Sequence, residues 1–442
     1  ESEIVAVMEK GGRGILPEVS REEWSLLFLL SAASFFNQYD AQLFSLILKQ
    51  VQEELLIPEH LLGWLGSLIL LGTLPAFAVV VIADRLGRRR VLLWTILGYT
   101  VFSTATAFSP NYQTLVAFQF LTKIFTAAEF TLAFVFVVEE FRPQNRAFGV
   151  AVLGSLAVLG RGAAMVLFGS IESIPFGWRG LYLVAPIPLL MLAWFRRRLH
   201  ETHRFEQLEA ERSGPRTFSD WLAPIVALVR LYPQRFMAVS CVLFLVGFSQ
   251  APVDYFLPKF MQEFHGWSPA RFATVAVFGG ALALTGQLVA GWLSDRFGRK
   301  PSTVIGLALE PIAAITLYTV VGESVIPAVV VWLCLSVAND VFRRTYSGEL
   351  FPTSYRSTAS GALAIVATLG ASLGLAAEGL LFGWFDSHWT SVRLFVLLGF
   401  AAPVIVFFAY PETSGRALED ISPEAPQDPP AADARNSSAL AP

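Results

Sequence analysis

The sequence predicts an all-α membrane protein in which twelve transmembrane helices form two six-helix, pseudo-symmetric bundles. Three observations lead to this fold class: an apolar composition, a series of long apolar runs and a set of motifs that occurs twice. The 442 residues are 54% hydrophobic and only 15% charged, with 37 Phe and 11 Trp. Soluble domains average about 25% charged residues. So few charges could not cover a water-facing surface, and lipid is therefore the expected solvent.

The apolar runs are long enough to cross a bilayer, which needs about 20 mostly apolar residues. Helices are the expected element because an open sheet would leave backbone groups unsatisfied in lipid. Residues 1–23 are polar and the first run is too long for a signal-peptide core, so no cleavable signal is expected. The predicted spans, numbered in chain order, cover residues 24–48, 61–83, 90–108, 112–138, 147–171, 180–195, 236–262, 270–293, 302–321, 325–342, 357–383 and 390–410.

Lys and Arg residues predict the orientation of the chain. Most of the 32 lie in the N-terminal tail, after spans 2, 4, 8 and 10, in residues 196–235 and in the C-terminal tail. The segments expected on the opposite side hold Lys49, Arg179, Lys259, Arg271 and Arg393. By the positive-inside rule, both termini are expected to be cytoplasmic, in the cell (inner or plasma) membrane.

Four motifs recur about 210 residues apart. They are "VIADRLGRRRV" (81–91) with "WLSDRFGRKPS" (292–302), "LKQVQEE" (48–54) with "PKFMQEF" (258–264), "EEFRPQNR" (139–146) with "GELFPTSYR" (348–356), and "LHETHRFEQLE" (199–209) with "YPETSGRALEDI" (410–421). Such repeats predict parallel halves with a ligand site near mid-membrane at their interface. The predicted segments are a cytoplasmic N-terminal segment 1–23, a bundle 24–199, a cytoplasmic connector 200–235, a second bundle 236–421 and a disordered tail 422–442.

One of these motifs, "GWLSDRFGRK" (291–300), resembles the G-x-x-x-D-R-x-G-R-R/K loop signature of major facilitator superfamily transporters. The first copy departs from the signature, since Val80 stands at the Gly position. The E-x-x-P-x-x-x-R forms, "HETHRF" and "PETSGRALEDI" resemble the sugar-porter-like branch, which includes metabolite/proton symporters. The resemblance covers about residues 24–421. It implies a carrier that works by alternating access, with the two signature loops in its cytoplasmic gate.

Two interpretations of the signature loops stay open. Their charges can simply anchor the topology, or they can form a latch in which Asp84 and Asp295 pair with Arg residues of neighbouring helices. Exposed ion pairs contribute about 0–1 kcal/mol each, which can bias a two-state equilibrium without locking it. The gate residues that the resemblance implies are Asp84, Arg85, Gly87, Arg88, Glu140, Arg146, Asp295, Arg296, Gly298, Arg299, Glu349 and Arg356.

Charged residues inside a span normally face a cavity or a partner, because they are costly in lipid. In span 1, Asp40 shares a polar face with Asn37, and it is either a proton site or a structural hydrogen-bond partner between helices. The Tyr39–Asp40 pair also resembles the proton-site position of the symporters of this branch. Burial can raise a carboxyl pKa toward neutral pH, as a proton carrier requires.

Span 4 carries five polar residues within an arc of about 120°, namely Gln119, Thr122, Lys123, Thr126 and Glu129. Its sequence "FQFLTKIFTAAEFTLA" resembles the R-F-L-x-G-x-x-x-G-G-E stretch of metabolite/proton symporters, and Glu129 matches that Glu. Lys123 is interpreted as an anion anchor, with pairing to Asp40 as the alternative. Glu129 is interpreted as a proton carrier or a gate partner.

Other candidates lie in spans 5, 7 and 11. Arg161, between two Gly residues, is expected to bind ligand or to pair with Asp40 or Glu129. Gln250 and Asp254 share one face of span 7 and are candidate cavity groups. Glu378, near the outer end of span 11, is expected to be solvated.

The chain has no Walker motif, phosphate loop or nucleophile–base arrangement, so neither an enzyme nor a primary pump is expected. The sequence predicts a secondary transporter of a small organic acid or related metabolite, with H⁺ as coupling ion. No cofactor, metal or nucleic acid is expected, and the partners are a small-molecule substrate and the lipid bilayer around a monomer. Two alternatives stay open: a uniporter or symporter of a sugar or organic cation, and a non-transporting receptor on the same scaffold.

Overall fold

The structure is a computed structural model that describes residues 19–197, 201 and 218–423, with only the backbone for residues 84, 85, 218–222 and 418. All regular structure in these residues is helical. Most of the predicted N-terminal segment, much of the connector and nearly all of the predicted disordered tail lie outside the described residues. Within the predicted connector, a helix covers Phe218–Leu231. The segment boundaries predicted from the sequence therefore stay a prediction.

Twelve helical segments coincide with the twelve predicted spans. Nine of them, within the described residues, are long and apolar enough to cross a membrane. The other three, α1, α3 and α9, have 26, 20 and 19 residues. The segments are α1 Arg21–Leu46, α2 Leu62–Leu71 with Thr73–Leu86, α3 Arg88–Ala107, α4 Tyr112–Glu140, α5 Arg146–Gly169, α6 Trp178–Leu183 with Pro186–Arg196, α7 Pro233–Glu263, α8 Pro269–Phe297, α9 Arg299–Leu317, α10 Val325–Glu349, α11 Arg356–Phe385, and α12 His388–Leu398 with Ala401–Ala409.

The two signature loops have the same backbone form. A single glycine separates α2 from α3 and α8 from α9, and its φ angle is 94° at Gly87 and 102° at Gly298. Residues with a side chain rarely adopt this conformation. The repeated glycine therefore lets two helices follow one another with a one-residue turn.

The helices pack in the same pattern in both halves. In the first half α1 packs along α5 and α3 along α4, and in the second half α7 packs along α11 and α9 along α10. The halves meet where α2 packs on α11 and α5 packs on α8, which are equivalent pairs under the repeat. The prediction of two pseudo-symmetric six-helix bundles is confirmed.

Glycines allow the closest of these contacts. A Cβ atom on Gly160 of α5 would lie 2.1 Å from the carbonyl oxygen of Phe35 in α1. A Cβ atom on Gly370 of α11 would lie 2.3 Å from the carbonyl oxygen of Phe244 in α7. Both separations are far below van der Waals contact, and so is the 2.1 Å from a Cβ atom on Gly374 of α11 to the carbonyl oxygen of Phe248. The α1–α5 and α7–α11 packing therefore depends on small residues.

We expect Gly160→Ala to lower the free energy of unfolding by about 1–3 kcal/mol, because the added methyl group must push α1 away from α5. Gly154→Ala is the matched control in the same helix, since nothing lies within 4 Å of its added Cβ. Thermal unfolding of the purified protein in detergent would measure both. Equal midpoints for the two variants would contradict the close approach.

Candidate functional site

The two halves are joined at one end of the bundle. We call the end that carries the α2–α3 and α8–α9 loops the signature end, and the opposite end the far end. At the far end, Gln50 Nε2 donates to Gln262 Oε1 over 2.6 Å, and Tyr255 Oη donates to the carbonyl of Leu62 over 3.1 Å. At the signature end, hydrogen bonds and ion pairs between described side chains stay within one half. Among the described residues, the hydrogen bonds that join the halves therefore lie toward the far end.

Arg161 and Asp254 lie near the middle of α5 and α7, yet both are exposed to solvent. Arg161 Nε donates to Gln38 Oε1 over 2.8 Å. The Arg161 guanidinium interacts electrostatically with Asp254 and with Asp340 of α10, without forming an ion pair with either. Because exposed charges at this depth need water or a partner, these two residues are the candidates for lining a cavity between the halves.

Lys123 of α4 is half-buried beside this cavity. Its ammonium group interacts electrostatically with Arg161 and with Asp40. It makes no hydrogen bond or ion pair with a described side chain, so the alternative of a direct Lys123–Asp40 pair is not what the structure contains. A lysine and an arginine thus stand near each other without a bound counterion.

Asp40 is buried behind the cavity, with 3% of its surface exposed. It accepts a hydrogen bond of 2.5 Å from the hydroxyl of Ser103 in α3. The neighbouring Asn37 uses its amide nitrogen to donate to the carbonyl of Thr126, over 2.6 Å. Asn37 therefore bridges α1 and α4, while Asp40 has a single neutral donor.

Three other predicted cavity residues are buried. Gln119 donates to Thr106 of α3 over 3.0 Å, and the Thr126 hydroxyl donates to the carbonyl of Lys123 over 3.2 Å. Gln250 is 8% exposed, and its Oε1 has no hydrogen-bond partner among the described residues. In this conformation the cavity role predicted for these three side chains stays a prediction.

Glu129 lies in the dry interior of the first half. Arg196, at the end of α6, donates to its Oε1 over 2.5 Å, and Thr95 of α3 donates to its Oε2 over 2.6 Å. Arg196 also donates to the carbonyl of Leu29 over 3.2 Å. Both charged side chains are almost completely buried, at 1% and 0% exposure.

The sequence analysis counted Arg196 with the basic residues of the cytoplasmic connector, and this placement is wrong. A run of three arginines at 196–198 is typical of an anchor at the membrane surface. Arg196, however, points into the bundle and neutralises Glu129. A usable signal was available, because a buried carboxylate in span 4 requires a partner. The proton-carrier role predicted for Glu129 stays a prediction, but in this structure an ion pair occupies the group.

Ion pairs within each half hold the signature end. Arg88, at the start of α3, pairs with Glu139 at the end of α4. Arg299, at the start of α9, pairs with Glu349 at the end of α10 over 3.1 Å and with Asp295 over 2.5 Å. The repeat therefore places one arginine and one glutamate at equivalent positions in both halves.

The carboxylate observed to pair with Arg88 is Glu139, next to the predicted gate residue Glu140, whose gate role stays a prediction. The E-x-x-P spacing favoured Glu140, but the 210-residue offset from Glu349 leads to Glu139. The other predicted gate residues lie nearby in more local contacts. Arg146 donates to the carbonyl of Phe141, Arg356 donates to the carbonyl of Gly348, and Arg296 stacks over Trp292. The side chains of Asp84 and Arg85 lie outside the described residues.

Two glutamates that were not among the predicted gate residues accept hydrogen bonds from the first backbone N–H groups of α3 and α9. Glu201 accepts hydrogen bonds from the backbone N–H of Arg89, over 3.0 and 3.2 Å. Glu412 accepts from the backbone N–H groups of Arg299 and Lys300, over 2.9 and 3.1 Å. Burial raises the pKa of Glu412, but these and two further backbone donors bring it below its ordinary value. The repeated Glu-Thr motifs therefore cap α3 and α9, and their repetition was the available signal.

These features define a class of protein: a two-bundle membrane carrier with charged side chains at its centre and with its two halves joined toward one end. The structure resembles the crystal structure of a D-xylose–proton symporter with a TM-score of 0.74, at 16% identity over 89% of this chain and 99% of the other. This likeness concerns the fold.

The sequence identifies the family. Residues 30–342 and 239–439 match the sequence profile of the Major Facilitator Superfamily, and the chain belongs to that family. It is 25% identical to the niacin transporter NiaP of Acinetobacter baylyi, over 91% of this chain and 97% of that protein. It is 27% identical to the 4-hydroxybenzoate transporter PcaK of Pseudomonas aeruginosa, over 88% of this chain and 93% of that protein. The protein is thus a membrane transporter rather than an enzyme, as predicted.

We expect Arg196→Met to lower the free energy of unfolding by about 3–5 kcal/mol, because it leaves the Glu129 carboxylate buried without a counterion. The double variant Arg196→Met with Glu129→Gln should recover most of this loss. Arg197→Met is the matched control, since the neighbouring arginine is exposed. Thermal unfolding in detergent measures all three. A double variant no more stable than Arg196→Met alone would contradict the ion pair.

Proposed function

We propose that the protein moves a small organic anion across the cell membrane together with H⁺, by alternating access. The supporting observation is the pair of unneutralised cations, Lys123 and Arg161, beside a hydrated cavity between the halves. A carboxylate bound between them would supply the counterion that the protein lacks there. One relative is named as a transporter of 4-hydroxybenzoate, which is a small organic molecule with such a carboxylate.

The orientation completes the proposal. Most basic residues lie at the signature end or in the segments expected beside it, which makes that end cytoplasmic by the positive-inside rule. The far end then faces outward, and the conformation described above is closed to the outside. Its cavity is open toward the cytoplasm, as in a carrier that has released its cargo. We propose that the carrier functions as a monomer.

Asp40 is the proposed proton site. It is buried and has one neutral donor, Ser103, so no cation within hydrogen-bond distance holds it ionised. Its electrostatic interaction with Lys123 links it to the cargo site. Protonation of Asp40 removes its attraction for the Lys123 ammonium, which leaves that ammonium free to bind the anion. Proton and anion would therefore favour each other's binding, as a coupling free energy between sites requires.

Transport of an organic cation is the second candidate, and one observation favours it. Asp254 is exposed in the cavity and has no ion-pair partner among the described residues. Arg161 nevertheless interacts with Asp254 electrostatically and opposes a bound cation. Flux measured with an amine such as choline would support this candidate if carboxylates gave none.

We expect Lys123→Met to weaken carboxylate binding about 10- to 100-fold, because a hydrogen bond to a charged group contributes about 1.5–3 kcal/mol. The probe is 4-hydroxybenzoate, followed by nicotinate, with affinity read from the ligand-induced shift of the unfolding temperature. Lys49→Met is the matched control, since Lys49 pairs with Glu53 at the far end. Unchanged affinity in Lys123→Met would remove the anion assignment.

We expect Asp40→Asn to exchange labelled carboxylate across proteoliposomes but not to concentrate it, since the amide can still accept from Ser103 but cannot carry a proton. Uptake driven by an inward proton gradient and counterflow without a gradient would be compared in the same vesicles. Asp386→Asn is the control, because Asp386 is exposed at the far end. If Asp40→Asn still accumulates substrate against its gradient, Asp40 is not the coupling site.

A further inference from the structure

A second group of titratable side chains joins the two halves at the far end. His388, the first residue of α12, lies between two carboxylates with only 3% of its surface exposed. Its Nδ1 is 2.7 Å from Oε1 of Glu378 in α11, and its Nε2 is 2.9 Å from Oε2 of Glu59, just before α2. Glu378 is completely buried, whereas sequence analysis expected it to be solvated. We call these three residues the far-end triad.

The geometry of the triad sets its proton content. A neutral imidazole has one N–H group and can donate to only one carboxylate. The other ring nitrogen would then point its lone pair at an anionic oxygen. Both short contacts are satisfied only when the triad holds one proton more than a neutral ring and two carboxylates. This count is the same whichever of the three groups carries that proton.

The surroundings of the triad also favour the extra proton. The charged and titratable groups around it are Lys259, Glu263 and Tyr255 of α7, Arg393 of α12 and Tyr318, whose hydroxyl donates to the carbonyl of Val253. Lys259 is completely buried, contacts Glu59 over 3.3 Å and also pairs with Glu263. Arg393 is directed to Trp389 and Thr390, and Tyr255 to Leu62. Lys259 thus serves two carboxylates and does not contact Glu378, so a proton on the triad reduces an uncompensated negative charge.

Aromatic rings exclude water from the imidazole. The ring of His388 stacks on Phe256 at 4.5 Å and lies 4.3 Å from Phe382, centroid to centroid. Electrostatic interactions are stronger in such a low-dielectric pocket than at an exposed surface. The proton on the triad is therefore held by two close carboxylates rather than by solvent.

Only one member of the triad belongs to the first half. Glu59 precedes α2, while His388 and Glu378 lie on α12 and α11. Opening of the far end must separate Glu59 from His388. One carboxylate would then satisfy a neutral imidazole, and the second ring nitrogen could accept from water. The closed far end consequently binds a proton more tightly than the open one.

We propose that His388, Glu59 and Glu378 form a second proton-binding site, which takes up a proton when the far end closes and releases it when the far end opens. The inference rests on the proposed alternation between two states, but not on cotransport through Asp40. Linkage of one proton changes the ratio of closed to open molecules by up to about tenfold per pH unit. Low pH should favour closure.

The test measures closure directly. Nitroxide labels at Ser173→Cys and Ser324→Cys, two exposed far-end positions in different halves, would report the distance between the halves by double electron–electron resonance. Cys241 and Cys334 would first be replaced by Ala. Between pH 8.5 and 5.5 we expect the short-distance population to rise. In Glu59→Gln the new amide can donate to Nε2 of His388, while Nδ1–H donates to Glu378. Both contacts are then satisfied by a neutral imidazole, so the far end should close without an extra proton. The short-distance population of this variant should therefore not depend on pH.

His265→Gln is the matched control, because His265 packs on Phe260 at the same end but lies between no carboxylates. It should keep the pH dependence of the parent protein. A parent protein whose distances ignore pH, or a Glu59→Gln variant that keeps the parent's response, overturns the proposal. If the parent protein shows the pH-dependent distances but does not concentrate substrate, the proton cotransport proposed for Asp40 is wrong and the far-end proposal stands.

Discussion

An ionised side chain inside a bilayer needs a counterion, a hydrogen-bond donor or water, and this constraint organises the protein. Each of the three solutions occurs at a different place. Glu129 has a buried arginine, Asp40 has the hydroxyl of Ser103, and Arg161 and Asp254 have solvent. The charges that depend on water are the ones proposed to meet the cargo. Those that are satisfied by protein atoms hold the first bundle together.

A carrier must also change conformation without unfolding, and the interactions repeated within each half allow this. Each half closes its own signature loop with an arginine–glutamate pair and caps the following helix with the glutamate of a repeated Glu-Thr motif. Close contacts at Gly160 and Gly370 stiffen each half from within. Because these interactions do not cross between halves, each bundle can rotate as a unit. The far-end contacts are then the interactions that must break when that end opens.

The difference between Lys123 and Glu129 shows what helix geometry can predict from a sequence and what it cannot. Both belong to the polar arc of span 4, and the sequence correctly indicated that this face meets other polar groups. A helical projection gives the direction of a side chain but not the neighbour that it meets. Lys123 reaches the cavity, whereas Glu129, six residues further, meets Arg196 of α6.

The sequence by itself determined the helices, the duplication and the membrane setting, since these follow from local hydrophobicity and from repeated letters. It also determined which residue types are available for chemistry, because lipid makes each intramembrane charge conspicuous. The tertiary structure alone decided the pairing of those charges. Glu59 and His388 are 329 residues apart, and the packing of α11 against both α2 and α12 brings them together. Partner choice depends on contacts between distant segments, and no local pattern in the chain records those contacts.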